Sequence, residues 1–456
     1  MKLAVVGAGW SGLAAAVQAA DLGHEVNVFE AAAIAGGRAR RVHAPRLDIA
    51  IDNGQHLMLG AYTQCLALMA RLGVDAEDTL HMAPLALCAL DGSFVLRLPA
   101  LPHPWQLVAG LLRARGLGAG DKLRLARSLH RLQRAGWRTA TGASVQDWLD
   151  GTHQGSRAQQ RFWHPLCLAA MNTPPAQACA QLFANVLRDS LGAGAPACRL
   201  VLPRVDLSSL WPERVAGMQP EHPEGRIKVH HHRVIRDLAL TPDGQVVIEG
   251  ETYDGAILAC GPHSAHRLLK RLPGPLLDTL DDGAPDGRDL AAALAAFEHR
   301  PIATATLALD SAWALPAAML MLREDRARQA WGQWLFHTPH YLKQAQPALL
   351  HVVISDAAQA LERGHDGLLD DVQRQIRAQA QGLPPMPGVT ARQLIVEKRA
   401  TFAALPGLHR PGAHTPWQRL WLAGDWTDTG WPAVLEGAVR SGQAAARCAH
   451  QALAAM

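Results

Sequence analysis

Three glycines near the start of the chain have the spacing of a phosphate-binding turn. Gly7, Gly9 and Gly12 follow a short apolar run and open an alanine-rich stretch. In such a turn the first glycine permits the tight bend, the second lets the backbone approach a pyrophosphate, and the third lets helix and strand pack closely. The helix that follows offers free N–H groups and the positive end of its dipole to the phosphates. We therefore expect the turn, with Trp10 and Ser11 inside it, to bind a nucleotide.

An acidic residue completes this motif. Glu30 lies 18 residues beyond Gly12, at the end of an apolar run over residues 26–29. Its carboxylate can accept hydrogen bonds from the hydroxyl groups of a ribose. The order strand, glycine turn, helix, glycine stop, strand and acid is that of a βαβ unit. The start of the chain therefore predicts a dinucleotide-binding site.

A second pair of glycines follows a few residues later. Gly36 and Gly37 precede Arg38. This arrangement could place backbone and a guanidinium beside a pyrophosphate or the ring system of a flavin, whereas a plain nicotinamide enzyme does not need it. A turn with a solvated arginine is the alternative that these three residues alone leave open.

The end of the chain contains another group of residues with a recognisable order. A short apolar strand over residues 420–423 ends in Gly424 and Asp425 and leads into a helical stretch from about residue 434 to 455. Together with the two N-terminal glycine motifs, this segment resembles the FAD-dependent amine oxidoreductase and carotenoid desaturase superfamily. The resemblance implies that FAD is the dinucleotide.

The resemblance assigns FAD contacts at both ends of the chain. The backbone and acid at Gly424 and Asp425 would hold the ribityl and phosphate region. Glu436, Gly437 and Ala438 would start a helix whose N–H groups face the pyrimidine carbonyl of the flavin, where a helix N-terminus stabilises developing negative charge. The full set of predicted contacts is Gly7, Gly9, Trp10, Ser11, Gly12, Glu30, Gly36, Gly37, Arg38, Gly54, Val234, Gly424, Asp425, Glu436, Gly437 and Ala438. Residues 420–442 contain no cysteine or histidine, so we expect non-covalent FAD.

Two strings narrow the resemblance. Residues 51–56 read Ile-Asp-Asn-Gly-Gln-His, and residues 424–432 read Gly-Asp-Trp-Thr-Asp-Thr-Gly-Trp-Pro. Both resemble the squalene-associated FAD-dependent desaturases, the hydroxysqualene dehydroxylase family, as does Lys-Arg-Ala-Thr-Phe at residues 398–402. The resemblance implies an FAD-dependent oxidoreductase of squalene and hopanoid biosynthesis, which reductively removes the hydroxyl of hydroxysqualene to give squalene. Its substrate would be a hydrophobic isoprenoid.

Three alternatives stay open within this superfamily or beside it. They are a carotenoid-type desaturase, a flavin amine oxidase, and a flavin-binding lipid carrier without catalytic activity. The chain has only three tyrosines, Tyr62, Tyr253 and Tyr341, and none lies in the closing motif. An aromatic cage for an amine is therefore harder to assemble, which favours an apolar substrate. We expect Trp431 to form part of the wall of the substrate site.

His56 is the candidate proton donor. It follows the Asp-Asn-Gly turn at residues 52–54, which in relatives approaches the flavin from the substrate side. Loss of an allylic hydroxyl as water needs an acid, an apolar pocket and a hydride donor in line. A buried histidine with a purely structural role is the alternative.

The other histidine groups do not predict a metal site. Three consecutive histidines at residues 230–232 would point to alternate faces of a strand. The pairs His263 with His266 and His337 with His340 are three residues apart, without an accompanying cysteine or carboxylate pattern. We therefore expect no metal.

A basic stretch predicts contact with a membrane surface. Residues 113–138 contain eight Lys or Arg against a single acid, Asp121, and five of the arginines recur at helical spacing. An apolar stretch with Trp105 precedes them. This composition is typical of docking on an anionic membrane, although a solvated helix face has the same pattern. We expect residues 98–138 to contact the membrane, because an isoprenoid hydrocarbon is nearly insoluble in water.

The source of electrons follows from the count of nucleotide motifs. Other glycine clusters, at residues 118–120 and 192–194, lack the preceding strand and the acid of a second dinucleotide site. FAD is expected to occupy the nucleotide fold at the N-terminus. We therefore expect an external electron donor or reductase, and slow reduction by NADPH.

Composition sets the remaining limits. The chain has 456 residues, of which 49% are apolar and 18% charged, so it is too long for one ordinary core. A net charge of +4 gives no reason to expect nucleic acid as a partner. Seven scattered cysteines indicate a reducing compartment, and no apolar run reaches the about 20 residues of a membrane-spanning helix. With a nucleotide motif already at residue 7, we expect a cytoplasmic protein without a signal peptide, peripheral on the inner face of the membrane.

These observations predict an α/β fold, in which a mixed α+β substrate domain is inserted into a Rossmann-type FAD-binding domain. The FAD-binding domain is expected in three segments, residues 1–96, 201–262 and 416–456. Residues 97–200 are expected to face the substrate and the membrane. Residues 263–415 are expected to form the substrate domain.

Overall fold

The first part of the chain alternates short strands and helices. A computed structural model describes residues 1–217, 226–272, 287–342 and 347–456. The first eight strands are β1 (Lys2–Val6), β2 (Glu25–Phe29), β3 (Arg41–Ala44), β4 (Ile49–Asp52), β5 (Met58–Leu59), β6 (Leu80–Ala83), β7 (Ala86–Cys88) and β8 (Val95–Arg97). The helices among them are α1 (Trp10–Asp21), α2 (Thr63–Arg71) and α3 (Ala76–Thr79).

The next part is mainly helical. Its helices are α4 (Trp105–Arg113), α5 (Ala119–Arg134), α6 (Val145–Gly151), α7 (Ser156–Ala158), α8 (His164–Met171), α9 (Ala180–Asp189), α10 (Leu207–Leu210) and α11 (Pro212–Ala216). Its strand, β9 (Leu200–Pro203), pairs with both β5 and β6. This pairing ties the helical part to the N-terminal one.

The remaining described residues contain the longest strands. The strands are β10 (Ile227–His230), β11 (Ala239–Leu240), β12 (Val246–Ile248), β13 (Glu251–Tyr253), β14 (Gly255–Leu258), β15 (His299–Leu309), β16 (Met319–Met321), β17 (Trp334–His337), β18 (Ala348–Ile354), β19 (Val389–Phe402) and β20 (Leu420–Leu422). The helices are α12 (Pro262–Leu269), α13 (Gly287–Ala295), α14 (Ala358–Leu361), α15 (His365–Gln379) and α16 (Leu435–Ala454).

A five-stranded parallel sheet forms the nucleotide-binding core. Its strand order is β10-β2-β1-β14-β20, and every neighbouring pair is parallel. Parallel strands are buried on both faces, which explains the continuous apolar runs in β1, β14 and β20. The strands come from residues 1–96, 201–262 and 416–456, as expected. The predicted Rossmann-type α/β fold is confirmed, while the five-segment division of the chain stays a prediction.

A second sheet lies in the middle of the sequence. Its strand order is β16-β17-β18-β15-β19, and its pairs are antiparallel. One face is covered by α15, with Leu368 and Val372 packed among Leu335 and Leu350 of the sheet. The other face carries Phe336, which belongs to the large core shared with the nucleotide-binding part. This sheet is the mixed α+β insertion that the sequence predicts.

Two glycines allow the helices of the nucleotide-binding core to pack at backbone distance. A Cβ added to Gly12 in α1 would lie 1.9 Å from the Gly7 carbonyl oxygen. A Cβ added to Gly442 in α16 would lie 2.0 Å from the Ser11 carbonyl oxygen and 2.9 Å from the Ala15 nitrogen. Because these neighbours are backbone atoms, they cannot rotate away. The first helix of the chain, α1, is therefore held in place by the last one, α16.

We predict that Gly442→Ala destabilises the protein by about 1–3 kcal/mol, the usual range for overpacking a close contact. The steric clash outweighs the gain of about 1 kcal/mol that alanine brings to a helix interior. The matched control is Gly151→Ala, because nothing lies within 4 Å of a Cβ at that position. Urea unfolding should show a lower midpoint for Gly442→Ala alone, and equal midpoints for the two variants would contradict this account of the contact.

Candidate FAD and active site

One cavity opens at the carboxyl ends of β1, β14 and β20, where open α/β sheets bind their ligands. Its volume is about 460 Å³. Thirteen of the predicted site residues line it: Gly7, Gly9, Trp10, Ser11, Glu30, Gly36, Gly37, Arg38, His56, Val234, Gly424, Asp425 and Ala438. The fold therefore brings the N-terminal motifs, the loop at His56 and the closing segment to one place.

The two glycine motifs lie side by side at the bottom of the cavity. Gly7 has a φ of +109°, and a Cβ there would lie 2.8 Å from the Ala259 carbonyl oxygen. Gly37 has a φ of +64°, and a Cβ there would lie 2.9 Å from the Cα of Gly9. The Gly36 N–H also donates to the Ala8 carbonyl at 2.8 Å. Side chains larger than hydrogen would collide with the neighbouring backbone, so these glycines let the two motifs lie in direct contact at the cavity wall.

Glu30 connects the end of β2 to the glycine turn. Its carboxylate accepts hydrogen bonds from the N–H groups of Ala8 at 2.7 Å and Ala32 at 2.8 Å. The two bonds use different oxygens, and each carboxylate oxygen can accept a second hydrogen bond. Glu30 is therefore fixed in place and still able to receive hydroxyl groups from a ribose.

Ser11 provides the most direct test of whether an anionic group fits the turn. Its hydroxyl is buried and has no hydrogen-bond partner among the described residues, yet Ser11 lines the cavity. Gly9, the residue that precedes α1, has no side chain to cap the helix, so the first N–H groups are free for a ligand. An unpaired hydroxyl donor beside a free helix N-terminus fits the phosphates of FAD.

An ion pair joins the N-terminal part to the closing segment. Arg38 Nη2 lies 2.6 Å from Asp425 Oδ1, and its Nη1 donates to the Ala400 carbonyl at 2.7 Å. Burial alone would lower the pKa of Arg38, but the charge and hydrogen bond of Asp425 raise it overall. The arginine therefore stays cationic at the cavity wall.

Arg410 holds the loop after β20, and the sequence gives no sign of this role. Its buried guanidinium donates to the backbone carbonyls of Asp425, Trp426, Thr427 and Trp431. Burial lowers the pKa of Arg410, opposed by the nearby acids. Four carbonyls around one guanidinium fix the loop that presents Asp425 to Arg38.

His56 enters the cavity from the loop after β4. Its Nδ1 lies 2.8 Å from the Gly54 carbonyl, which can only accept, so Nδ1 carries the proton and Nε2 keeps its lone pair in the neutral ring. Burial lowers the pKa of His56; the bond to Gly54 opposes this effect and the Arg38 charge adds to it. Asn53 anchors the loop through a hydrogen bond to Glu397 at 3.2 Å. The neutral imidazole is a proton acceptor, and its lowered pKa makes the imidazolium a stronger acid.

Five predicted site residues do not line the cavity: Gly12, Gly54, Trp431, Glu436 and Gly437. Gly12 packs against the turn, and Gly54 contributes its carbonyl to His56. The Glu436 carboxylate is fully buried and accepts from the backbone N–H groups of Gln64 and Cys65 and from Arg440, so it caps α2.

The placement of Trp431 also differs from the prediction of a substrate wall. Its ring packs edge-on against Tyr62, with 5.6 Å between centroids, and it is almost completely buried. The aromatic side chain thus fills the core between the closing segment and α2. Among the predicted FAD contacts, Glu436 is the one whose charged group caps another helix, α2.

Several cavity residues escaped the sequence-based prediction. They are Cys260, His263, Arg267, His299, Glu397, Arg399 and Phe402, among others. The His263 and His299 rings lie 5.1 Å apart at the cavity wall. Burial, with help from His263, lowers the pKa of His299 to about 4, and burial also lowers the pKa of His263. Both rings are therefore neutral near pH 7. His263 lies on α12 and His299 on β15, so no local sequence motif reveals that the two rings are neighbours.

Two of the histidine groups noted in the sequence contain a side-chain hydrogen bond. His230 lies 2.8 Å from the Asn27 side chain, and His337 lies 2.7 Å from His340. Among the described residues, no group of three or more His, Cys, Asp or Glu could hold a metal ion. The described helices also include none with the length and apolar composition that a membrane crossing requires.

Comparison with known proteins places the fold and the site in a family. The family model described as flavin containing amine oxidoreductase matches residues 10–450. Hydroxysqualene dehydroxylase from Rhodopseudomonas palustris is 31% identical over 97% of this chain and 96% of the relative. The protein of the same name from Sinorhizobium fredii is 30% identical over the same shares. The solved structure of cyclohexylamine oxidase from Brevibacterium oxydans superimposes with a TM-score of 0.65, at 16% identity over 99% of this chain and 98% of that one.

These matches confirm the predicted cofactor and class of enzyme. The protein is an FAD-dependent oxidoreductase, and the alternatives of a desaturase, an amine oxidase or a lipid carrier are not favoured. The chain belongs to the flavin containing amine oxidoreductase family, in the branch that includes the hydroxysqualene dehydroxylases.

Proposed function

We propose that this enzyme reductively removes the hydroxyl group of hydroxysqualene and releases squalene. The observation that carries the proposal is the near full-length similarity to relatives that bear this name, which extends over both sheets. The cavity at the carboxyl edge of the parallel sheet, where the cofactor of an oxidoreductase would bind, also supports the proposal. The substrate is then a hydrophobic isoprenoid.

The cavity residues divide FAD binding among them in this proposal. The glycine turn, Ser11 and the start of α1 bind the pyrophosphate, and Glu30 binds a ribose. Arg38 and Asp425 lie toward the flavin, together with the start of α16 at Ala438. The supporting observations are the unpaired Ser11 hydroxyl, the close approach of the two glycine motifs at the cavity wall and the lone pairs left on Glu30.

The reaction sets the tasks of the protein. Hydroxysqualene gains two electrons and two protons and becomes squalene and water. FAD, when bound and reduced, supplies a hydride to carbon. The protein must donate a proton to the departing hydroxyl and keep water away from the carbocation that remains. We propose that protonated His56 donates from Nε2, because Nδ1 is committed to the Gly54 carbonyl.

The decisive experiment is conversion of candidate substrates by the purified, FAD-loaded protein. The flavin is reduced photochemically without oxygen, and hydroxysqualene, a carotenoid precursor or a primary amine is then added. We expect squalene from hydroxysqualene and no change in the other two. Conversion of the amine or the carotenoid precursor, with hydroxysqualene left intact, would reject the proposed function.

We predict that His56→Gln lowers the single-turnover rate about 100-fold or more, since general acid catalysis contributes about 10²–10⁴-fold. The imidazolium is the active form, and the pKa of His56 is lowered, so the wild-type rate should rise as pH falls from about 8 to about 6. The variant should lose this rise. His43→Gln, an exposed histidine on β3, is the matched control. A pH profile unchanged by His56→Gln would exclude His56 as the donor.

We predict that Glu30→Ala weakens FAD binding about 5- to 150-fold, which corresponds to about 1–3 kcal/mol for unpaired polar partners. The ribose loses an acceptor, and the Ala8 N–H loses its partner in the same variant. Glu25→Ala, at the exposed start of the same strand, is the control. Titration of FAD into the apoproteins measures the affinities. Equal affinities would show that Glu30 does not hold the ribose.

We also propose that residues 98–138 dock the enzyme on an anionic membrane surface. Five of the nine exposed large apolar residues in the described chain lie in this segment. Trp105, Val108 and Leu112 are 63%, 43% and 72% exposed and form one stripe along α4. On α5, the exposed Arg127 and Arg131 face away from the buried Leu125 and Leu132. Apolar anchors beside arginines match a bilayer with anionic headgroups.

We predict that the protein floats with anionic vesicles at low salt and is released at high salt, because screening removes about 1 kcal/mol per basic residue near the surface. A Trp105→Ala, Leu112→Ala variant should bind more weakly at every salt concentration. Met82→Ala, which also removes an exposed apolar side chain, is the control. Equal flotation with neutral and anionic vesicles would reject the role of the arginines.

The reaction also requires an electron source, and we propose that it is an external donor or reductase. The described residues form one parallel sheet with a glycine turn at its carboxyl edge, and FAD accounts for that turn. Two electrons must therefore reach the bound flavin from outside for each product molecule.

A further inference from the structure

Two exposed arginines at the mouth of the cavity form no ion pair with another described residue. Arg267 lies on α12 and Arg399 on β19, and both line the cavity and are exposed to solvent. Neither forms an ion pair within the described ranges. The neighbouring Arg233 is 3.8 Å from Glu249, and both of these side chains are largely exposed. Within the described residues, the mouth of the cavity therefore carries positive charge that no ion pair neutralises.

The carboxylates that line the cavity already have hydrogen-bond or ion-pair partners. Asp425 pairs with Arg38. Glu30 accepts two backbone N–H groups, and Glu397 accepts from Asn53 and from the Arg399 backbone N–H. None of these carboxylates lies in an ion pair with the two mouth arginines. The described lining of the cavity is therefore net positive, although the whole chain carries only +4.

This surface differs from residues 98–138 in its apolar content. The membrane-facing segment has five exposed large apolar residues, whereas Val234 is the exposed one among the described lining of the cavity. A bilayer needs apolar anchors for stable binding. Positive charge with little exposed apolar surface instead suits a brief encounter with an acidic protein.

We propose that Arg267 and Arg399 are the docking site for an acidic, one-electron redox protein that reduces the bound FAD. The inference rests on the proposed function, because dehydroxylation consumes two electrons and two protons for each squalene and water formed. Two donor molecules each give up one electron and leave oxidised. The protons come from His56 and from solvent. The site lies at the opening through which the flavin cavity meets solvent, so a docked donor approaches the electron acceptor.

The first test measures binding, with and without FAD. The probe is an oxidised flavodoxin of net negative charge, immobilised for interferometry. We compare Arg267→Glu, Arg399→Glu with a control, Arg157→Glu, Arg447→Glu, that changes the same charge at exposed positions elsewhere. We expect at least tenfold weaker binding for the mouth variant and for the wild type in high salt, and no change for the control at low salt. If flavodoxin binding were weakened equally in both variants, Arg267 and Arg399 would not be the docking site.

The second test follows the reduction of the holoenzyme under anaerobic conditions. Reduced flavodoxin should bleach the flavin of the wild type and of the control, and at least tenfold more slowly that of the mouth variant. Each protein is saturated with FAD, and its rate with reduced flavodoxin is divided by its own rate of photochemical reduction; this ratio should fall at least tenfold in the mouth variant alone. NADPH reduction at the rate of turnover, or loss of FAD affinity in the mouth variant with flavodoxin binding intact, would overturn the proposal. Hydroxysqualene conversion after photochemical reduction is measured separately, so a failure of the proposed function is seen there alone.

Discussion

The ion pair between Arg38 and Asp425 connects the N-terminal part of the chain to its closing segment. Partial burial of two charges is unfavourable unless their geometry is good and their remaining polar atoms are bonded. Arg38 meets this condition through the Ala400 carbonyl, and the loop that carries Asp425 is fixed by Arg410. Removal of either partner would leave the other charge without its ion-pair partner at the cofactor cavity. The cavity therefore exists in its final form only when the two ends of the chain are joined.

The contiguous motifs were predictable because their chemistry is local. The turn from Gly7 to Gly12, Glu30 and the strand that ends at Gly424 each combine a secondary-structure pattern with one required residue type. The parallel sheet, the Rossmann-type fold and FAD followed from these motifs and the family resemblance. Thirteen predicted site residues line one cavity.

The residues that the sequence did not reveal depend on contacts between separate segments. Arg410 has an ordinary sequence context, and its four carbonyl partners all lie beyond β20. Glu436 fits a helix start in sequence, but the free N–H groups of α2 take its carboxylate. Trp431 was expected beside substrate and instead packs on Tyr62. In each case the partner of a buried side chain lies in a distant part of the sequence or in a loop, and only folding brings the two together.

The strand order of the parallel sheet has a consequence for synthesis of the protein on the ribosome. β1 is made first, but its neighbour β14 emerges only after more than half of the chain, and β20 emerges close to the end. At about 5–20 residues per second, the N-terminal strand waits about 20–80 s before the sheet can be completed. During that interval its unpaired edge is open to mispairing with other chains. The yield of folded enzyme would thus depend on chaperones that cover the nascent N-terminus. FAD could bind only after α16 has been translated.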